Sequence, residues 1–182
     1  WRDMATIIRD NYHQFDGFVI LHGTDTMAYS ASAISFMLKG VNKPIIFTGA
    51  QIPIGATRSD ARENLITALE IASKRNGDHA MVTEVCLYFN YYLLKGNRAQ
   101  KIRSSNFAAF ESENYPYLSE SGVEIVYNES YLKKYKDESL KYSEKLDANV
   151  IILKIFPNIS YNVVKGMLSI PGLKGVILES YG

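Results

Sequence analysis

The chain has 182 residues, of which 47% are hydrophobic, and this is enough for one complete α/β domain or for one domain and the start of another. Its 20 basic and 19 acidic residues leave a net charge of +1, so the protein has no strong overall positive potential that would attract nucleic acid or an anionic membrane. No apolar run approaches the roughly 18 residues that a membrane span requires. These properties favour a small molecule or a protein as the partner.

Helices and strands are predicted to alternate over the first half of the chain. Apolar residues at helical spacing predict an amphipathic helix over residues 1–15, and the continuous apolar run at residues 18–21 is typical of a strand covered on both faces. The next elements are predicted to be a helix over residues 27–39, a strand over 44–47, a helix from near Ser59 to near Asn76, and a strand over 84–89. The single cysteine, Cys86, falls in the last of these strands and is expected to be buried. This alternation predicts a parallel α/β sheet.

The second half of the chain differs in composition. Residues 111–149 are polar, charged and rich in tyrosine, and the alternating stretch at 122–127 predicts a half-exposed strand. Apolar stretches then predict one β-α-β unit, with a strand over 149–156, a helix over 159–168 and a strand over 176–178. We therefore expect a three-layer, mainly parallel α/β domain with flanking helices over residues 1–130, a linker over 131–147, and the start of a smaller second α/β domain over 148–182.

Two polar loops follow the ends of neighbouring predicted strands. Residues 22–26 (His-Gly-Thr-Asp-Thr) follow the first strand, and residues 48–51 (Thr-Gly-Ala-Gln) follow the second. Ligands of parallel α/β sheets bind beyond the carboxyl ends of the strands, so both loops are expected to line one crevice. There Asp25 can pair with a substrate ammonium group, and Thr24 can hold a hydroxyl near the reacting carbon. The alternative is that Asp25 and Thr26 only cap the next helix.

Two other polar residues are expected to have structural roles. His22 is interpreted as a hydrogen-bonded histidine at a strand end, and neither His13 nor His79 stands in ligand spacing with it, so no metal site is expected. Asp60 is followed three residues later by Glu63, which resembles a capping box at the start of a helix.

Several segments, in chain order, resemble the L-asparaginase family. They are His-Gly-Thr-Asp-Thr-Met at residues 22–27, Thr-Gly-Ala-Gln-Ile-Pro at 48–53 with Arg-Ser-Asp at 58–60, Gly-Asn-Arg-Ala-Gln-Lys at 96–101 with Phe-Ala-Ala-Phe at 107–110, and Ser-Tyr-Gly at 180–182. The resemblance spans essentially the whole chain and is strongest to the type I, cytoplasmic-type enzymes. It implies hydrolysis of L-asparagine to L-aspartate and ammonia without a metal or other cofactor, with L-glutamine as a further candidate substrate.

The resemblance also implies roles for individual residues. The family's relay of a threonine, an aspartate and a lysine corresponds to Thr24, Asp25 and Lys101. In such a relay, a lysine that burial keeps neutral can remove a proton from a threonine hydroxyl. The substrate pocket corresponds to Gly23, Thr24, Asp25, Ala50 and Gln51, and the Ala50 carbonyl is a candidate acceptor for the leaving amide nitrogen. Without the resemblance, Lys101 would be interpreted as one more basic surface residue.

The resemblance further implies a homodimer or homotetramer with sites at the dimer interface, a cytoplasmic location, and no nucleic-acid or membrane partner. The chain also departs from the family, because Thr-Gly-Gly-Thr, the motif that carries the attacking threonine, does not occur in it. The serine-containing substrate loop and most of the second domain are not matched either. We therefore expect the chain to be truncated at both ends, without the nucleophile.

Three rival interpretations stay open. The asparaginase-like subunit of a glutamyl-tRNA amidotransferase shares these motifs, but the balanced charge without a basic face disfavours a role linked to tRNA. A non-catalytic binding module on the same scaffold is disfavoured because it would need no lysine relay, yet Thr24, Asp25 and Lys101 are all present. A nucleotide-binding Rossmann domain is disfavoured because no Gly-x-Gly-x-x-Gly follows a first strand.

The missing motif leads to a prediction for a polypeptide of only these 182 residues. We expect it to have no asparaginase activity, because the attacking hydroxyl of the resembled mechanism is absent from it. The measurement is ammonia release from L-asparagine by the purified polypeptide, and release above the background of a protein-free reaction would contradict the prediction.

A second prediction concerns regulation. Some type I enzymes bind a second asparagine through a threonine just before the relay lysine and an arginine just before Ser-Tyr-Gly. These positions hold Gln100 and Glu179, and Glu179 has the wrong charge to meet a substrate carboxylate. We predict that asparagine does not activate the full-length protein at that site. A sigmoidal dependence of rate on asparagine concentration that becomes hyperbolic on substitution of Gln100 would count against this.

Overall fold

The computed structural model describes residues 1–181. Within this range the helices are α1 (Arg2–Asn11), α2 (Met27–Met37), α3 (Ala61–Ser73) and α4 (Tyr161–Leu168). The strands are β1 (Phe18–Leu21), β2 (Leu38–Lys39), β3 (Ile45–Thr48), β4 (Arg75–Asn76), β5 (His79–Ala80), β6 (Val85–Phe89), β7 (Tyr92–Lys95), β8 (Gln100–Lys101), β9 (Phe110–Glu111), β10 (Ser119–Ser121), β11 (Ile125–Tyr127), β12 (Lys141–Tyr142), β13 (Val150–Lys154) and β14 (Gly175–Glu179). The chain divides into two compact units, Trp1–Glu144 and a second that begins at Lys145.

The first unit is built on a six-stranded sheet with the strand order β1-β3-β6-β7-β10-β11. The predicted α/β class is confirmed, but the sheet is mixed and not mainly parallel. Only β1, β3 and β6 pair with one another in parallel, and the strands from β7 onward pair antiparallel. The reversal arises at Asn90 and Tyr91, which join β6 to β7 with φ angles of 44° and 77°. Such a two-residue turn can connect only antiparallel neighbours, whereas a parallel connection needs a crossover.

Helices cover both faces of the parallel half of the sheet. Ile45 and Phe47 of β3 face the core formed with α1 and α2, while Ile46 between them faces the core formed with α3. All residues of β3 and β6 are buried, which explains their uninterrupted apolar sequences. Cys86 of β6 is buried as expected, and burial raises the pKa of its thiol.

β1 has the predicted bounds but not the predicted burial. It forms the edge of the sheet, so its residues are only half-buried, and Leu21 at its end is 65% exposed. Phe18 and Ile20 still pack against the core on one face and Val19 against the core on the other. The continuous apolar run therefore reflects contact on both faces without full enclosure.

Three helices end earlier than their sequence patterns predict, and two of them, α2 and α3, are followed by a short strand. α1 ends at Asn11, and α2 ends at Met37 because Leu38 and Lys39 pair with β12. α3 ends at Ser73 because Arg75 and Asn76 turn into a hairpin with β5. No helix among residues 1–181 is long and apolar enough to cross a membrane.

Most of the predicted linker lies within the first unit, which extends to Glu144. Lys133 donates through its backbone nitrogen to the Glu84 carboxylate at 2.8 Å and through Nζ to the Val41 carbonyl oxygen at 2.5 Å. The expectation of a solvated stretch at 133–138 is therefore wrong for its first residue, because a buried carboxylate and a backbone carbonyl recruit it. The division into a domain, a linker over 131–147 and a second domain stays a proposal.

The second unit contains the predicted β-α-β arrangement. β13 and β14 are parallel neighbours, with Val150 opposite Gly175, and α4 connects them. Ser160 caps α4, because its hydroxyl oxygen accepts a hydrogen bond from the Val163 backbone nitrogen at 3.3 Å.

Candidate active site

Two loops meet at the carboxyl ends of β1 and β3. The strands are parallel with Leu21 opposite Thr48, so the segments that follow them leave the sheet at the same edge. The His22 backbone nitrogen donates to the Thr48 carbonyl oxygen at 2.9 Å and extends this pairing by one residue. The Thr48 hydroxyl donates to the Tyr88 carbonyl oxygen at 2.9 Å and ties the end of β3 to β6. The two loops are therefore neighbours at one edge of the sheet, as the sequence predicted.

Lys101 joins this edge from β8. Its Nζ donates to the Thr24 hydroxyl oxygen at 2.9 Å and to the Asp25 carboxylate at 2.7 Å. The Lys101 side chain is 14% exposed, whereas that of Asp25 is 93% exposed. A lysine this enclosed, with a hydroxyl and a carboxylate as partners, is not a solvated basic residue of the surface. The structure thus brings together the three residues for which the resemblance implies a relay.

The helix-cap alternative does not describe what these side chains do. Thr26 occupies the N-cap position of α2 but makes no side-chain cap hydrogen bond. The Asp25 carboxylate accepts from Lys101 instead, and this hydrogen bond lowers the pKa of Asp25 from its ordinary value. Asp25 is therefore ionised at neutral pH, at the open side of the site.

Gln51 connects Thr24 to a third segment. Its side-chain oxygen accepts from the Thr24 hydroxyl at 2.9 Å. Its side-chain nitrogen donates to the carbonyl oxygens of Ser104 and Asn106, at 3.0 and 2.9 Å. The sequence interpretation considered only the backbone of Gln51, so this side-chain contact with Thr24 was missed.

Asp60 supports the second loop and does not cap α3, so the predicted capping box is wrong. Although Asp60 occupies the N-cap position, its carboxylate accepts from the backbone nitrogens of Gln51, at 3.0 and 3.1 Å, and Ile52, at 3.0 Å. Asn64, one turn later, donates to the Gly49 carbonyl oxygen at 2.9 Å and accepts from the Asn90 backbone nitrogen at 3.2 Å. The local sequence favours a helix cap, but the fold brings the backbone N–H groups of Gln51 and Ile52 to the Asp60 carboxylate, and these take the place of the helix N–H groups.

The other predicted pocket residues surround this cluster. Gly23 is exposed, and a Cβ atom added to it would have nothing within 4 Å, so the space beside it is open. Ala50 is partly exposed between Gly49 and Gln51. The His22 ring lies 6.1 Å from the ring of Phe47, with Nδ1 2.7 Å from the Gly23 carbonyl oxygen, which agrees with a structural histidine.

A cavity of about 580 Å³ opens beside Asp25 and Lys101, and this size suits a small molecule. Tyr29, Arg98 and Gln100 line it as well. A larger cavity of about 1340 Å³ lies among residues 112–128 and is lined by none of the relay residues. The chemistry of the Thr24, Asp25 and Lys101 cluster is a better guide to the site than cavity size.

Comparison with known proteins shows the family to which the chain belongs. Residues 1–133 match the family model described as the N-terminal domain of asparaginase. The chain belongs to the asparaginase family. L-asparaginase 1 of Escherichia coli is 42% identical over 182 residues, which cover 100% of this chain and 52% of that protein. The crystal structure of L-asparaginase I from Vibrio cholerae superposes with a TM-score of 0.91 at 39% identity, covering 100% of this chain and 54% of that one.

Relatives with other names share the asparaginase-family region. The mouse 60 kDa lysophospholipase is 41% identical over 183 residues, which cover 100% of this chain and 31% of that protein. A glutamyl-tRNA(Gln) amidotransferase component of Pyrococcus abyssi is 31% identical over 169 residues, or 91% of this chain and 38% of that protein. The chain spans about half the length, or less, of these curated relatives.

The close approach of the two loops yields a prediction for Gly49. A Cβ atom there would overlap the His22 carbonyl oxygen and lie 2.8 Å from Met27 Cε, so Gly49→Ala must push the loops apart. We expect Gly49→Ala to lower the free energy of unfolding by about 1–3 kcal/mol, the usual effect of overpacking. Gly55→Ala is the matched control, because a Cβ at Gly55 meets nothing within 4 Å.

The measurement is the urea midpoint of the full-length protein and of both variants. Gly55→Ala is expected to unfold at the midpoint of the parent protein. A Gly49→Ala midpoint equal to that of Gly55→Ala would show that the loops do not constrain each other.

Proposed function

We propose that this chain carries part of the active site of an L-asparaginase, which hydrolyses L-asparagine to L-aspartate and ammonia. One observation carries the proposal: the Lys101 Nζ contacts both the Thr24 hydroxyl and the Asp25 carboxylate. The identity of 42% to an Escherichia coli protein named L-asparaginase 1 supports the same reaction.

The cluster suits the proton transfers of amide hydrolysis. The reaction adds one water across the C–N bond of the side-chain amide, and the nitrogen leaves as ammonia. A threonine hydroxyl attacks a carbonyl carbon effectively only when a neighbouring group takes its proton. We assign Thr24 and Lys101 to the path of that proton, and the attacking threonine to the Thr-Gly-Gly-Thr motif of the family, which does not occur in these 182 residues.

The same edge of the sheet suits an amino-acid substrate. The ionised Asp25 carboxylate is 93% exposed and can pair with the α-ammonium group of the substrate. The open space beside Gly23 leaves room for that substrate, and the Ala50 carbonyl is assigned as an acceptor for the leaving nitrogen. We extend the proposal to L-glutamine as a further candidate substrate, to a homodimer or homotetramer, and to a cytoplasmic location.

Two relatives have names that suggest other reactions, one a lysophospholipase and the other a subunit of a glutamyl-tRNA(Gln) amidotransferase. The side chains gathered at this site are hydroxyl, amide and charged groups, which suit a polar amino acid better than an acyl chain. Assays of the full-length protein with asparagine and with lysophosphatidylcholine separate amide hydrolysis from lysophospholipid hydrolysis, and asparagine is expected to be hydrolysed faster than lysophosphatidylcholine.

The decisive variant is Lys101→Met in the full-length enzyme. We expect kcat for asparagine to fall by roughly 10²–10⁴, the usual range for loss of a general base. Lys136→Met is the matched control, because Lys136 is 68% exposed and has only a 3.9 Å contact with Glu138. The measurement is steady-state ammonia release, with circular dichroism to show that both variants are folded.

The two variants are informative only as a pair. If Lys101→Met and Lys136→Met both keep the kcat of the parent enzyme, Lys101 has no part in the mechanism and the proposal fails. Equal losses in both variants would show that general damage from replacing a lysine explains the result.

A further inference from the structure

A carboxylate that the proposed function does not use is buried directly before β6. The side chain of Glu84 is only 8% exposed, and its Oε2 lies 2.9 Å from Lys95 Nζ on β7. Its Oε1 accepts from the Lys133 backbone nitrogen at 2.8 Å. A buried carboxylate destabilises a fold unless its oxygens have partners, and here each oxygen has one. Glu84 therefore joins two segments that are far apart in the sequence.

The partner of Glu84 on β7 is an enclosed cation. Burial by itself would lower the pKa of Lys95, but the hydrogen bond and the charge of Glu84 outweigh burial, so this pKa is raised. The Lys95 side chain is 26% exposed, and its ammonium group lies 5.0 Å from the centre of the Tyr115 ring. Without the Glu84 charge, Lys95 would be a partly buried cation with no opposite charge, which favours its movement toward solvent.

Glu84 is itself held in place from the other side. The Thr83 hydroxyl donates to the Lys133 carbonyl oxygen at 2.7 Å, and Lys133 Nζ donates to the Val41 carbonyl oxygen at 2.5 Å. The Lys133 N–H group that binds the Glu84 carboxylate is thus fixed by two further hydrogen bonds. The carboxylate is therefore a firm anchor for Lys95.

Lys95 is the last residue before the segment that leads to Lys101. The next backbone nitrogen, that of Gly96, donates to the Val85 carbonyl oxygen at 2.9 Å. The Lys95 carbonyl oxygen accepts from two backbone N–H groups of the following turn, at 2.9 and 3.1 Å. Gly96 also lies so close to β6 that an added Cβ atom would come 2.8 Å from the Val85 carbonyl oxygen. The position of Lys95 therefore sets the start of this turn.

The other end of the segment requires accurate placement. Lys101 Nζ contacts the Thr24 hydroxyl oxygen at 2.9 Å and the Asp25 carboxylate at 2.7 Å. A misplacement of about 1 Å in a reacting group can lower a rate by about 100-fold. A shift of Lys95 would pass along the turn and move Lys101 relative to both partners.

We propose that Glu84 is a positioning residue of the candidate active site, whose carboxylate anchors the turn before Lys101 through Lys95. Glu84 acts on turnover only through Lys101 and takes no part in proton transfer. The inference rests on the proposed function, because its effect is on the rate at that site.

The first test is a double-mutant cycle in the full-length enzyme. Glu84→Gln keeps the shape of the side chain and an oxygen for the Lys133 N–H group, but it removes the charge opposite Lys95. We expect this substitution to lower kcat for asparagine by about 10-fold. In the Lys101→Met background, we expect it to change kcat by less than about threefold, because no lysine is left to misplace.

Glu63→Gln is the matched control, because Glu63 is exposed on α3. It is expected to keep the kcat of the parent enzyme. Equal losses from Glu84→Gln in both backgrounds would overturn the inference, because Glu84 would then act without Lys101, as a general effect on folding would. A kcat of Glu84→Gln equal to that of Glu63→Gln would overturn it as well.

The second test uses Lys95→Met and the double variant Glu84→Gln/Lys95→Met. The double variant buries no unpaired charge, so it keeps the inference falsifiable if either single variant does not fold. If Glu84 acts through Lys95, we expect the double variant to have a kcat about 10-fold below that of the parent enzyme and within about threefold of Lys95→Met. A double variant with the parent kcat, or with the product of both single losses, would contradict the inference.

The single variant Lys101→Met separates failure of the inference from failure of the proposed function. If Lys101→Met hydrolyses asparagine at the parent rate, the proposed relay is wrong. If Lys101→Met is slow but Glu84→Gln is normal, the relay stands and only the role of Glu84 is wrong.

Discussion

The parallel pairing of β1 with β3 is the constraint on which the candidate site depends. Because Leu21 stands opposite Thr48, the two loops that carry Thr24 and Gln51 leave the sheet side by side. Burial of β3 on both faces leaves it no freedom to shift its register without exposing its apolar side chains. The relative position of the two loops is therefore set by the hydrophobic core and not by the loops themselves.

From this edge a continuous set of hydrogen bonds runs through the site. Asp60 holds the backbone of Gln51, Gln51 accepts from Thr24, and Lys101 donates to both Thr24 and Asp25. The set begins at a partly buried carboxylate and ends at one that is 93% exposed. Groups linked in this way polarise and orient one another, and each is best tested together with its neighbour.

Much of the scaffold was predictable from sequence because its signals are local. The uninterrupted apolar runs of β1, β3 and β6 predicted strands at the right places, and the polar residues after them pointed to the sheet edge. The antiparallel half was not foreseen, because the turn at Asn90 and Tyr91 has positive φ angles without a glycine to indicate them.

The site itself was only partly predictable. Lys101 is 77 positions from Thr24, and no periodicity connects them, so only the resemblance to a family brought them together before the structure did. For Asp60 a local signal was present, but it predicted the wrong role. A strong local rule favours aspartate as a helix cap, but the fold delivers the N–H groups of Gln51 and Ile52 to the same carboxylate.

The position of Asp60 has a consequence for how the protein responds to heating. Helix ends fray before buried strands separate, and α3 begins without a cap bond from its N-cap side chain. Opening of its first turn would carry Asp60 away from Gln51 and loosen the loop after β3, while β3 and β6 stay packed. Loss of activity on heating would then precede unfolding of the sheet.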